Sequence, residues 1–344
     1  MQYIYFETKD GKRHAGVLLP DGRAAAAEAL VPGFSGSTLL DLIRAGEAVQ
    51  AELCAAAEKS SAAMSDAATE NRSAEPSPSA AEKGSAAAAS AKGQTGACGA
   101  AAAVHGGAEI YAAADIRLLA PIEYPAHDIL CVGVNYADHL KETQEHLDGS
   151  SGLDAAKAVY FSKRANRIIG PEETLRARFD LDPCLDYEAE LAVIIGREGK
   201  DIAPEEAERY IFGYSVFNDL SSRSLQSAHA QWFKGKSLDG YSAMGPVVVS
   251  SDALRLPFSA AVTSRVNGEL RQHSNTRLLI HGVCEIIAEL SAGMKLYPGD
   301  IIATGTPAGV GMGFTPPRFM KAGDTVECEI EGIGCLRNHI AAEK

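Results

Sequence analysis

The chain has 344 residues, 46% of them hydrophobic, with a formal net charge of −13 and a pI near 5.2. That length permits two domains and a substantial core, and the acidic balance opposes a nucleic-acid surface, which rests on clustered Lys and Arg. No run reaches the roughly 18 uninterrupted apolar residues of a membrane span, and Met1–Gly11 carries no basic segment leading into an apolar run, so neither nucleic acid nor membrane is expected as a partner and the expected location is the cytoplasm.

Residues 1–54 read as a small α+β N-terminal domain. Strands are expected at Tyr3–Phe6 and His14–Leu19, with Asp-Gly turn signals at 10–11 and 21–22. A helix should follow from Ser37, where Ser and Thr can cap Leu39–Ile43. From 55 to 107 the composition turns to Ala, Ser, Gly, Glu and Lys, without an aromatic residue and with Glu75-Pro-Ser-Pro-Ser79. Such a stretch has little to bury and is expected to be a low-complexity insertion, disordered or weakly helical.

Residues 108–344 read as a second, larger domain, and the fold class as mixed α/β, mainly β. Short apolar runs separated by Gly and Pro predict strands at Ile116–Pro121, Asp128–Val132, Val159–Ser162, Leu185–Ile195, Tyr214–Phe217, Pro246–Val249, Asp300–Ala303 and Val326–Ile330. Helices are expected near 204–211 and 276–292. Val266-Asn-Gly-Glu269 predicts a hairpin with a type I′ turn. The seven cysteines (54, 98, 131, 184, 284, 328 and 335) include no Cys-x-x-Cys pair and read as reduced packing residues, with a catalytic thiol at Cys131 as the alternative.

The chemistry starts at Glu188 and Glu190. Two apart on a strand, they share one face with Ala192 and Ile194. Two anions on an apolar face are costly unless something positive neutralises them. Asp219, after the strand Tyr214–Phe217, offers a third carboxylate, and three such oxygens with open positions suit Mg²⁺ or Mn²⁺. Taken alone, Glu-x-Glu is also compatible with an exposed polar strand face.

Cys131-Val-Gly-Val-Asn-Tyr-Ala-Asp-His139 leaves a strand and enters a helix on which His139 and Glu142 are i, i+3 neighbours. A carboxylate beside an imidazole orients it and raises its basicity, so the pair can activate water. Such pairs are also common on inert helix surfaces. Gln231-Trp-Phe-Lys-Gly-Lys-Ser-Leu-Asp239 holds the only Trp, and Ala303-Thr-Gly-Thr-Pro-Ala-Gly-Val-Gly311 is a glycine-rich loop after a strand. Neither is a GxGxxG turn or a P-loop.

In this order, Asn135–His139, Asp186-Tyr-Glu-Ala-Glu190, Asn218-Asp219 with Ser222-Arg223 and Gln226, Gly235-Lys-Ser-Leu-Asp239 and Thr304–Gly311 resemble the fumarylacetoacetate hydrolase family. The resemblance spans roughly residues 116–340, and the N-terminal unit resembles the leading domain of bacterial members. It implies a rolled β-sheet catalytic fold, a homodimer, and Mg²⁺ or Mn²⁺ held by Glu188, Glu190 and Asp219. It also implies Lys236 near the metal, His139 with Glu142 as the water-activating dyad, and Lys163, Arg223, Gln226 and Thr306 as substrate-binding residues. Ser224 departs from the Asp, and Ala243 from the Pro, frequent in relatives.

The implied reactions share an enolate of a 2-oxo acid stabilised by the cation. The intact dyad favours hydrolysis of a C–C bond in an acylpyruvate or 1,3-diketo acid. Isomerisation of a hydroxymuconate type and oxaloacetate decarboxylation are the alternatives on the same residues. A non-catalytic scaffold that recruits partners through 55–107 is the competing non-enzymatic reading.

Overall fold

The computed structural model describes residues 1–72, 103–105, 108–146 and 155–343. β1 (Gln2–Thr8) and β2 (Arg13–Leu18) form the expected hairpin, and β3 (Ala24–Ala26) adds to β2. α1 (Ala27–Leu30) is a single turn. α2 (Leu39–Arg44) begins at Thr38, whose hydroxyl accepts the Asp41 N–H while the Asp41 carboxylate accepts the Thr38 N–H, a reciprocal capping box.

α3 (Glu47–Arg72) runs straight through position 55, where the insertion was expected to begin. Leu53 and Ala57, one helical turn apart, are both buried, so this stretch has more to pack than its composition suggests. The rest of the expected insertion lies outside the described residues, apart from β4 (Ala103–His105). β5 (Ala108–Tyr111) and β6 (Ile116–Leu118) complete the N-terminal part.

The catalytic part contains β7 (Ile129–Gly133), α4 (Ala137–His146), β8 (Val159–Lys163), β9 (Thr174–Ala177), β10 (Leu185–Asp186), β11 (Ala189–Ile195), β12 (Ile211–Asp219) and β13 (Ser221–Ser222). There follow α5 (Arg223–Ala228), α6 (Phe233–Lys236), β14 (Ser242–Ser250), β15 (Ala261–Val266), β16 (Glu269–Asn275), α7 (Val283–Ser291), β17 (Ile301–Ala303), β18 (Thr325–Ile330) and β19 (Gly334–Ala342).

One sheet of 12 strands runs β4-β5-β3-β2-β1-β14-β12-β11-β17-β7-β8, with β6 beside β1. The N-terminal unit is thus joined to the catalytic part edge to edge, through Gln2↔Val249 and Tyr3↔Val248. A second sheet, β16-β15-β18-β19-β9, packs against it, and β10 pairs with β13. Every residue of β11 and β12 is buried, because both faces of the central strands are covered. Leu191, Val193 and Ile195 pack into one cluster while Ala192 and Ile194 pack into another, which is the alternation expected of that strand.

Two helix expectations change. Pro204–Tyr210 is a 3₁₀ helix. The expected helix over 276–292 is broken into a 3₁₀ turn at Thr276–Leu278 and α7, because Asn135 captures the main chain between them: its O accepts the Ile280 N–H at 2.9 Å and its Oδ1 the His281 N–H at 2.8 Å.

Candidate active site

Strand register brings the acids together. Glu188 directly precedes β11, Glu190 is its second residue and Asp219 ends β12. Ala189 lies opposite Asn218, and the Asp219 N–H donates to the Glu188 carbonyl at 3.0 Å. One carboxylate oxygen from each of Glu188, Glu190 and Asp219 lies within 4.8 Å of the others, and all three residues are buried.

Buried anions this close require cations. Lys236 bridges two of them, donating to Glu188 Oε2 at 2.7 Å and Asp219 Oδ2 at 2.8 Å. Arg223 pairs with Glu188 Oε1 at 2.7 Å and, through Nε, with Asp186 Oδ2 at 2.8 Å. Burial disfavours charge on Glu188, but Lys236, Arg223 and His139 outweigh it and bring its pKa down to about 2. Glu190 differs. Its Oε2 accepts the Gly305 N–H at 2.8 Å, and among the described residues no cationic side chain forms an ion pair with it. Burial, then Asp219 and Glu188, push its carboxyl well above the usual range.

This donor set fits a hard divalent cation such as Mg²⁺ or Mn²⁺: three carboxylate oxygens, one of them on Glu190, which pairs with no cationic side chain among the described residues. Either ion at 100 times its Kd is therefore expected to stabilise the metal-free protein by about 2.7 kcal/mol, read as a rise in Tm. No rise with either ion would remove the cation from the account.

The dyad reaches the same place from β7. The chain turns through Val134 at φ 47°, a conformation costing on the order of 1–3 kcal/mol for a β-branched residue. Fully buried Asn135 holds the turn, donating to the His281 and Thr304 carbonyls at 3.1 and 2.8 Å. A Cβ on Gly305 would lie 2.7 Å from that of Asn135, so the glycine, at φ 99°, lets the two loops meet. α4 then sets His139 Nδ1 2.8 Å from Glu142 Oε2, and Glu142 Oε1 accepts the Gly309 N–H at 2.9 Å. In the neutral ring, a carboxylate facing Nδ1 favours the tautomer with the proton there and the lone pair on Nε2.

His139, Glu188, Glu190, Lys236, Arg223, Gln226 and Thr306 line one cavity. Arg223 Nη1 donates to Gln226 Oε1 at 2.9 Å, whereas Nη2 is buried and meets no acceptor among the described residues. The Thr306 hydroxyl is committed, donating to the Ala189 carbonyl at 3.0 Å and accepting from Gln272 Nε2 at 2.7 Å. Lys163, expected at the substrate, is elsewhere. Its fully buried ammonium donates to Asp219 Oδ1 at 2.5 Å and to the Leu220 carbonyl at 2.9 Å, and so neutralises a carboxylate from behind the cavity. Cys131 is buried too, and burial together with Asp219 and Glu190 pushes its thiol up, away from a nucleophilic role.

Asp186 was missed. It accepts from the N–H groups of Tyr187, Gly311 and Met312 at 2.9, 2.6 and 3.0 Å and from Arg223 Nε, tying the glycine-rich loop to the arginine. The signal was present: Asp186 continues the period of two set by Glu188 and Glu190. Asp182 holds the two residues that flank this arginine, accepting from Ser222 Oγ at 2.5 Å and from the Ser224 N–H at 2.8 Å, and accepts the Cys184 N–H at 2.8 Å. Burial opposes its charge, but these bonds prevail and hold its pKa below the ordinary carboxylate value. A depressed folded pKa contributes stability above the unfolded value of about 3.9 and loses it as pH falls. The Tm gap between wild type and Asp182→Asn should accordingly narrow from pH 6 to pH 3. A gap independent of pH would show that the charge is immaterial.

The family model described as fumarylacetoacetate (FAA) hydrolase, C-terminal, matches residues 128–341, the segment that holds all of these side chains. Oxaloacetate tautomerase YisK of Bacillus subtilis is 42% identical over 234 residues, 68% of this chain and 76% of that protein. The chain belongs to the fumarylacetoacetate hydrolase family. A fumarylacetoacetate hydrolase from Exiguobacterium antarcticum has the same fold, with 35% identity and a TM-score of 0.71 over 100% of both chains. So does a 5-carboxymethyl-2-hydroxymuconate delta-isomerase from Mycobacterium smegmatis, at 26% identity and a TM-score of 0.65, again over 100% of both chains. Fumarylacetoacetate hydrolase family members are enzymes that typically use a divalent metal, and a buried acidic triad is present here. Among the described residues no helix is long and apolar enough to cross a membrane.

Proposed function

We propose that the chain is a divalent-metal-dependent enzyme that enolises small 2-oxo acids, and that its reaction is keto–enol tautomerisation of oxaloacetate. One observation carries the reading: around a single cavity stand buried carboxylates, the lysine that bridges them, an arginine with an uncommitted donor and an imidazole oriented by a carboxylate. The similarity to an oxaloacetate tautomerase supports the choice of substrate.

Mg²⁺ or Mn²⁺ held by Glu188, Glu190 and Asp219 would supply Lewis acidity towards the 2-oxo and carboxylate oxygens. Arg223, fixed through Nε and Nη1, offers Nη2 to a substrate carboxylate. His139 Nε2 takes a proton from C3, and the C–H electron pair becomes the C2–C3 double bond as charge moves to O2. The Lys236 ammonium stabilises that charge. Glu142, anchored by Gly309, stabilises the imidazolium, which returns the proton to O2. No atom is gained or lost.

Hydrolysis of an acylpyruvate is the second reading, favoured by the same dyad. Water deprotonated by His139 adds to the distal carbonyl, the bond from that carbon to C3 breaks, and the pair left on C3 takes up the proton, giving a carboxylic acid and pyruvate. NMR of the metal-loaded protein with oxaloacetate and, separately, acetylpyruvate distinguishes the two. The proposal expects faster tautomer exchange on oxaloacetate. Acetate and pyruvate from acetylpyruvate without that exchange would replace tautomerase by hydrolase, and net loss of CO₂ from oxaloacetate would replace it by decarboxylase. The family also implies a homodimer, for which light scattering should return twice the chain mass of 36.1 kDa; a monomer would contradict it.

A further inference from the structure

Trp232 is the one tryptophan of the chain. Its neighbours Gln231 and Phe233 are exposed, yet its indole turns inward and lines the cavity. Two contacts seat it. Gly133, the last residue of β7, lies beneath the ring: a Cβ there would collide with Cζ3 and stand 2.9 Å from Cη2. Phe161 on β8 meets it edge to face, with centroids 5.3 Å apart at 74°.

The same segment carries the chemistry. The Trp232 carbonyl accepts the Lys236 N–H at 3.1 Å, and Lys236 Nζ lies 5.3 Å from the centre of the Phe161 ring. Phe161 thus touches both the indole and the ammonium that bridges Glu188 and Asp219. The space left in the cavity is about 20 Å³, room for roughly one water. Glu188, Lys236 and Arg223 are pinned by ion pairs. The indole is held by apolar contact and by the absence of a side chain at Gly133.

We propose that Trp232 determines substrate length: its ring closes the cavity beyond the reacting carbons, admitting a short diacid and rejecting longer acyl chains. The inference rests on the reading of this site as one for 2-oxo acids. Hydrophobic walls discriminate single methylenes by about 10- to 200-fold, so an indole removed or displaced should relax the preference visibly.

Calorimetric titration with Mg²⁺ present tests this without relying on turnover. Oxalate, which has the chelating head alone, is compared with unbranched 2-oxo acids up to 2-oxooctanoate. The Kd ratio of 2-oxooctanoate to oxalate is expected to fall at least about tenfold in Trp232→Ala. Gly133→Ala, which shifts the ring without deleting it, should change that ratio and also the emission of the single tryptophan; it decides the matter if Trp232→Ala does not fold. A ratio within about threefold of wild type in the folded variants, with oxalate still bound, would overturn the role of Trp232 and leave the site intact. Failure of wild type to bind oxalate would overturn the 2-oxo acid reading itself, and the inference with it.

Discussion

Replacing Glu190 by Gln is expected to lower turnover of oxaloacetate by at least about 10³-fold, roughly 4 kcal/mol of transition-state stabilisation. The change is nearly isosteric, and the amide oxygen can still accept the Gly305 N–H. What is lost is a charged donor to the proposed cation. Because Glu190 is the member of the triad without a paired lysine or arginine among the described residues, its charge is costly in the metal-free protein. Glu190→Gln should for that reason keep or raise the Tm of the metal-free protein while abolishing the rise caused by Mg²⁺ or Mn²⁺. That opposition separates loss of a ligand from loss of the fold. Full turnover in the variant would remove Glu190 from the metal site.

His139→Ala is expected to cost about 10²- to 10⁴-fold, the range for a lost general base. The cation should still bind, since the three donors proposed for it come from β11, β12 and the residue before β11. Decarboxylation of oxaloacetate, which needs the chelate but no base, should survive better than proton transfer at C3. Glu142→Gln should cost less than His139→Ala, because it removes the charge facing Nδ1 and keeps both an acceptor oxygen and the ring. If exchange at C3 runs unchanged without the imidazole, His139 is a structural residue on α4 and proton transfer belongs to another group.

Much of this site was legible because strand periodicity turns spacing into geometry. Glu188 and Glu190, two apart, had to share a face, and the partition of Ala192 and Ile194 from Leu191 and Val193 follows the same rule. The type I′ hairpin was equally local: Asn267 and Gly268 have φ of 52° and 80°. What escaped depended on distant partners. Lys163 ends a strand, and nothing local says that its ammonium meets Asp219, 56 residues away, rather than a substrate. The helix expected over 276–292 breaks because Asn135, 146 residues upstream of His281, binds the chain there. β19 lacks a clean apolar alternation because an inward position is Asn338, a buried amide bound to the Gly170 and Glu173 carbonyls.

The central claim is metal-dependent enolisation, and the most direct measurement is the rate at which freshly dissolved enol-oxaloacetate converts to the keto form. Rates would be compared for metal-loaded protein, protein with EDTA, metal-loaded Glu190→Gln and metal alone. Acceleration by the metal-loaded protein well beyond metal alone, abolished by EDTA and by Glu190→Gln, is the expected result. A metal-loaded protein no faster than free metal, or one equally fast in EDTA, would contradict it.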